Sequence, residues 1–285
     1  MKTAKQAALS VSRTTGRMTS AVRLLPSFLI MGGQRCGTTS LYRALAQHPL
    51  VYKPVLRKGV HYFDTASYGH GLSWYRAHFP MRVGTALLIR RFGGLPQAFE
   101  SSPYYLFHPL AGERIAADLP GAKLIVLVRD PVERACSAHA HELARGFETE
   151  ECFERALELE EERVAGAEEL FRADPHAAHH GHRHLAYLAR GRYADQLERL
   201  EPLFGRDRIM VIDSHRFFHE PEPVYDRLLR FLRVPRFGYP GFSRHNWRPR
   251  PKQLPDSLRL RLMDRFEEHD RRLVRWLDGE PSWRR

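Results

Sequence analysis

The chain has few cysteines, no long apolar run, and an acid-free beginning. Its 285 residues include only Cys36, Cys136 and Cys152. An odd, low count builds no disulfide framework and fits a reducing, cytoplasmic setting. No stretch approaches the ~20 apolar residues of a membrane span, so no transmembrane segment is expected. Residues 1–25 contain no aspartate or glutamate. They also lack the apolar core of a secretory signal. Basic and rich in Ser, Thr and Ala, they are expected to form a flexible segment ahead of a single domain at 26–285. A transit peptide or a surface-binding amphipathic segment is the alternative. Acidic residues are outnumbered 33 to 45, for a net charge of +12 and a pI near 9.9. Such a balance suits an anionic partner: a nucleotide, an acidic or sulfated substrate, nucleic acid or a membrane surface. Solvated basic faces would give the same number. Nucleic acid is disfavoured because aromatic residues are not interleaved with the basic clusters as in stacking platforms. A hydrophobic fraction of 43% excludes wholesale disorder.

Three segments are apolar throughout: Ser27–Met31, Leu124–Val128 and "RIMVID" at 208–213. Each reads as a buried strand. "AFESSPYYLFHP" (98–109) reads as a strand running into a turn. Helical patterns follow from Thr38, after Asp130-Pro131, and at about 192–204, 221–233 and 255–277. Asp130 is placed to cap its helix and Pro131 suits the first position. Apolar strands alternating with helices predict an α/β fold, with a parallel central sheet flanked by helices in three layers, like that of P-loop nucleotide-binding proteins. Ligands of such sheets bind outside the carboxyl ends of the strands. "VYKPVLRKGVHYFD" (51–64) is too broken by Pro and Gly for a regular element and is expected to be a loop reaching the site. "GLSWYRAHFP" (71–80) predicts a short helix closed by Pro80. The Glu-rich stretch 142–169 predicts a solvated helix. "HAAHHGHRH" (176–184) lacks a carboxylate or cysteine at ligand spacing and is read as a mobile insert, with no metal expected.

"GGQRCGTTSLYRAL" (32–45) carries the chemistry. It follows the P-loop pattern G-x-x-x-x-G-K-[ST], except that Thr38 stands where the lysine belongs. That lysine holds the β- and γ-phosphates of a triphosphate. What remains is a helix N-terminus offering backbone N–H groups from Cys36, Gly37, Thr38, Thr39 and Ser40. Three hydroxyls and the charge of Arg35 accompany them. The set suits one compact anion. Arg129 ends the second apolar strand, and Ser137 lies two helical turns on. A bidentate guanidinium and a hydroxyl can hold a dianionic phosphate. Arg129 could equally pair with Asp130 or Glu133.

Together the motifs resemble the sulfotransferases that use 3′-phosphoadenosine 5′-phosphosulfate, in the branch with the heparan sulfate enzymes and their bacterial relatives. "GGQRCGTTSLYRAL" is similar to the family's 5′-phosphosulfate loop. "KLIVLVRDPVERACSAH" is similar to its 3′-phosphate strand and helix, with Arg129 and Ser137 in the matching places. "RKGVHYFD", "ESSPYYLFHP", "GRYADQLERL" and "HDRRLVRWLDGEPSW" follow in order. The resemblance implies sulfuryl transfer to a hydroxyl or amine of a carbohydrate, glycolipid or small metabolite, with no metal.

Two departures stand out. Arg35 replaces the family's usual lysine; a guanidinium stabilises charge but cannot give up its proton. Gly59 replaces the glutamate that serves as base. His61 is the expected substitute, because imidazole changes charge nearest neutrality, with Asp64 to orient it. Glu100 is the rival. The heparan relatives often carry a lysine near Ser101, and its absence weakens the case for a glycosaminoglycan. In "SRHNWRPRPK" (243–252), Arg248 is expected to reach the nucleotide, with Arg244 and Trp247 as further candidates. The alternatives are a catalytically degenerate relative that only binds nucleotide or sulfate, and a P-loop kinase.

Overall fold

The computed structural model describes residues 16–82, 85–243, 245 and 254–285. Five parallel strands form one sheet in the order β2-β3-β1-β4-β5: β1 (Pro26–Gly32), β2 (Val51–Tyr52), β3 (Gln97–Ser101), β4 (Lys123–Val128) and β5 (Ile209–Asp213). Helices cover both faces, which is why β1, β4 and β5 are apolar on both sides. Phe28–Met31 and Leu124–Val128 are wholly buried. Strands β2 and β3 are added on one side of β1, and β4 and β5 on the other, so the order of winding switches at β1 while every strand stays parallel. The loops leaving these strands therefore meet at one edge of the molecule.

β1 passes through residues 33–37 into α1 (Thr38–Leu45). Gly32 lies opposite Leu127 of β4 at φ +142°, where a Cβ would collide with the Leu127 backbone. β4 passes into α2 (Pro131–Leu143). Asp130 caps α2 as expected, accepting from Val132 N at 2.9 Å and Glu133 N at 3.2 Å. Its other oxygen accepts from Arg259 at 2.9 Å, tying α2 to the last long helix. Two further helices, α3 (Tyr193–Phe204) and α4 (Asp256–Leu273), match the expected 192–204 and most of 255–277.

Three expectations are corrected. The broken segment 51–64 begins with a true strand, β2, at the sheet edge. The Glu-rich stretch forms three short helices, Phe153–Glu158, Glu160–Val164 and Ala167–Ala173, and Glu148 and Glu160 are buried. Their carboxylates are satisfied by distant groups: Glu160 by the N–H of Leu188 and Ala189, Glu148 by Tyr187 and Arg163. The histidine stretch is packed rather than loose at its end: His182 is buried, 2.6 Å from the Tyr104 hydroxyl and stacked on Phe107. Two contacts join residues 23 and 24 to the segment ending at Pro80. Arg23 donates to Phe79 O at 2.6 Å and Leu24 N to Pro80 O at 2.9 Å.

Asp130→Ala removes both cap bonds and the Arg259 pair. It is expected to lower unfolding free energy by about 1–2 kcal/mol in urea titrations, with far-UV circular dichroism unchanged.

Candidate active site

The loop after β1 is stiff. Arg35 and Gly37 take left-handed φ of +73° and +86°. Two of the five expected N–H donors are used inside the loop: Cys36 N binds Gly33 O at 3.2 Å and Ser40 N binds Gly37 O at 2.9 Å. Those of Gly37 and Thr38 make no backbone hydrogen bond among the described residues. The Cys36 thiol is buried 3.6 Å from the Tyr193 hydroxyl, and burial raises its pKa. Ser40 Oγ accepts from His245 N at 2.9 Å, so the C-terminal loop reaches the phosphate-type loop. Arg244, Trp247 and Arg248 lie outside the described residues.

Arg35 bridges the two strand ends. Its Nε donates to Ser137 Oγ at 3.0 Å, and its carbonyl accepts from Arg129 at 3.3 Å. Arg129 also makes a long contact of 3.5 Å with Glu133. The contact with Glu133 is the pairing named as the alternative for Arg129, and Ser137 is engaged by Arg35.

A second loop, 58–64, faces the first. Glu100, the penultimate residue of β3, is wholly enclosed beneath it. Its carboxylate accepts from Val60 N (2.6 Å) and from the hydroxyls of Ser102 (2.8 Å), Tyr75 (2.8 Å) and Tyr105 (2.9 Å). Burial raises the Glu100 pKa, with these four donors opposing it. The expected rival base is thus an enclosed group whose two oxygens are engaged. Ser102 Oγ in turn accepts from His61 N at 3.2 Å. His61 is held at φ +55°, its ring partly open to solvent. Nδ1 lies 2.8 Å from Asp64 Oδ2, and Asp64 is buried. A carboxylate there selects the Nδ1–H tautomer and leaves Nε2 as the basic nitrogen. The expected His61–Asp64 pairing is formed.

Gly59 has a steric explanation. A Cβ there would lie 2.5 Å from Ser101 O and 2.7 Å from Ser102 Oγ. No side chain fits without moving β3 or the loop.

Sequence reading missed Lys58. Its Nζ donates to Thr38 Oγ1 at 3.2 Å and Thr39 Oγ1 at 2.9 Å. Burial, and then the charge of Arg43, push its pKa down to about 7. The available signal was its place beside Gly59 in a loop expected to reach the site. Lys58 also lines an open cleft between α1 and residues 53–58, with Thr39, Arg43, Lys53 and Arg57. Also missed was Arg190, a buried guanidinium that donates to Gln34 Oε1 at 3.2 Å. Burial brings its pKa down to about 10.

Residues 25–237 match the family described as "Sulfotransferase domain". The chain belongs to the sulfotransferase family. A sulfotransferase from Alicyclobacillus acidocaldarius is 30% identical and superposes with a TM-score of 0.66, covering 92% of this chain and 99% of that one. Human bifunctional heparan sulfate N-deacetylase/N-sulfotransferase 3 is 30% identical over 222 residues, which are 75% of this chain and 23% of the relative. Human heparan sulfate glucosamine 3-O-sulfotransferase 5 is 26% identical over 238 residues, 83% of this chain and 60% of the relative. The chain thus spans less than two thirds of either human protein. Among the described residues, no helix is long and apolar enough to cross a membrane, and no three His, Cys, Asp or Glu side chains are grouped to hold a metal ion.

Gly59→Ala forces a methyl group against the Ser101 carbonyl. It is expected to cost about 1–3 kcal/mol, read as a lower urea midpoint at unchanged slope.

Proposed function

We propose that the protein transfers a sulfuryl group from 3′-phosphoadenosine 5′-phosphosulfate to a hydroxyl or amine of a carbohydrate, glycolipid or small metabolite. The observation that carries this reading is the convergence of Arg35, Arg129 and Ser137 across the ends of β1 and β4, beside a loop built for one anion. In this reading Gly37 and Thr38 offer N–H groups, and Thr38, Thr39 and Ser40 offer hydroxyls, to the 5′ end. Cys36 fixes the loop from below. Arg129 and Ser137 hold the 3′-phosphate, and Arg248 covers the nucleotide. The cleft walled by Arg43, Lys53 and Arg57 receives the acceptor and favours one with negative charge. The three free cysteines support a cytoplasmic setting.

The chain's part in catalysis is positioning and electrostatics. His61 Nε2 takes the proton of the acceptor hydroxyl while Asp64 stabilises the imidazolium. The acceptor oxygen attacks sulfur in line, and the bond from sulfur to the 5′-phosphate oxygen breaks on the opposite side. Arg35 offsets part of the charge that develops there. Glu100 holds the His61 loop in place. A second reading has one specific observation behind it: with Gly59 lacking room for a carboxylate, the protein would bind nucleotide without turnover.

Arg129→Ala removes charge-assisted hydrogen bonds of roughly 1.5–3 kcal/mol. Calorimetry should show 3′-phosphoadenosine 5′-phosphate binding about 10- to 150-fold more weakly. If the wild type binds AMP as tightly as the bisphosphate, Arg129 and Ser137 do not form a 3′-phosphate site.

His61→Ala is expected to lower kcat by about 10²–10⁴ and to leave bisphosphate affinity nearly unchanged. Full retention of kcat would take the base role away from His61, whereas no turnover by the wild type with any hydroxyl or amine acceptor would support the binding-only reading.

A further inference from the structure

Arg35 leaves one task of the reaction unassigned. As the sulfur–oxygen bond breaks, the 5′-phosphate oxygen gains charge that a proton would relieve. A guanidinium contributes charge but keeps its proton at any working pH. Among the described residues, the structure brings one ammonium to the anion loop from outside it. Lys58 reaches across from the His61 loop and donates to both threonine hydroxyls of the first turn of α1. Its own carbonyl accepts from Ser101 N at 3.1 Å, which fixes its backbone to β3.

The surroundings of Lys58 are unusual for a half-buried cation. Among the described residues, no carboxylate lies within ion-pair distance of it. From α1 it faces Thr38, Thr39, the Tyr42 ring at 5.9 Å and the like charge of Arg43. From its own segment, Lys53 and Arg57 share the cleft. On the β3 side, the Glu100 carboxylate is occupied by Val60, Ser102, Tyr75 and Tyr105. A cation removed from water without a partner is costly. An arriving anion would supply that partner, and the two threonines aim the ammonium at the loop where it would sit.

We propose that Lys58 is the proton donor to the leaving group, doing what Arg35 cannot. The inference rests on the sulfuryl-transfer reading above. The acceptor oxygen forms its bond to sulfur and gives its proton to His61 Nε2. The electron pair of the breaking sulfur–oxygen bond stays on the 5′-phosphate oxygen, which takes a proton from Lys58 Nζ. Lys58 is left as the neutral amine and His61 as imidazolium, so protons balance. Solvent restores both. Burial and Arg43 make that proton easy to give near neutrality.

The test begins with binding, without turnover. Titrate 3′-phosphoadenosine 5′-phosphate calorimetrically at pH 8 in buffers of different ionisation enthalpy. A phosphate beside Lys58 favours its charged form and raises its pKa. The wild type should therefore take up about 0.5–1 proton per site more than Lys58→Met. Lys58→Arg keeps the charge and should bind within about threefold of wild type, with the extra uptake gone. In turnover, Lys58→Arg should lose about 10²-fold or more in kcat. Adding Arg35→Lys to Lys58→Arg should recover at least about tenfold, by returning an ammonium to the loop. Proton uptake equal in wild type and Lys58→Met, or Lys58→Arg with wild-type kcat, overturns the assignment while leaving the sulfuryl-transfer reading intact. Failure of the wild type to bind the bisphosphate overturns both.

Discussion

The arrangement of the site depends on a buried carboxylate and the four donors that converge on it. Glu100 is removed from water, where an isolated anion would cost several kcal/mol. Hydrogen bonds to a charged acceptor return roughly 1.5–3 kcal/mol each. With four, the balance favours the knot, and it fixes geometry in the process. One donor is the Val60 backbone, so the second loop is pinned within one residue of His61. Two donors are tyrosines from separate elements. One of them, Tyr105, also receives the N–H of Tyr62 at 2.8 Å. The loop that carries Lys58, His61 and Asp64 is thus fastened to the core through polar contacts that tolerate little sliding.

Much of the frame could be read from local pattern. β1, β4 and β5 were legible because both faces are buried, which makes the residues apolar without alternation. The Asp130-Pro131 start of α2 was legible because its partners are two and three residues away. The pairing of His61 with Asp64 falls in the same class. What escaped depends on partners far along the chain. β2 has two residues and exists only because β3 offers it an edge. Glu160 looked solvated because its acceptor role is set by Leu188 and Ala189, and His182 looked loose because Tyr104 and Phe107 hold it. Lys58 escaped because the hydroxyls it serves lie 19 and 20 residues earlier.

Charge shows the same division. The excess of arginine gave no direction as a sum. In the fold, many guanidinium groups are paired with acids or carbonyls of the chain itself. Arg259 holds Asp130 and Glu133, Arg272 holds Asp195 and Glu198, and Arg163 holds Glu148. Lys58 has no such pair among the described residues. Net charge becomes informative after these internal pairs are set aside, and only the three-dimensional arrangement makes that possible.

The left-handed backbone at Arg35 and His61 has a consequence for how a ligand enters. Each such residue carries strain of order 1–3 kcal/mol that its surroundings must offset. The His61 conformation is held by the Glu100 knot through Ser102 and Val60, and Arg35 by its bond to Ser137. The ordering of both loops is therefore part of folding and not part of association. A ligand meets two walls already shaped, so little conformational entropy is left to lose at the moment of binding. The site acts as a rigid slot. Discrimination between ligands then rests on fit and charge, with little room for the loops to adapt to a wrong shape.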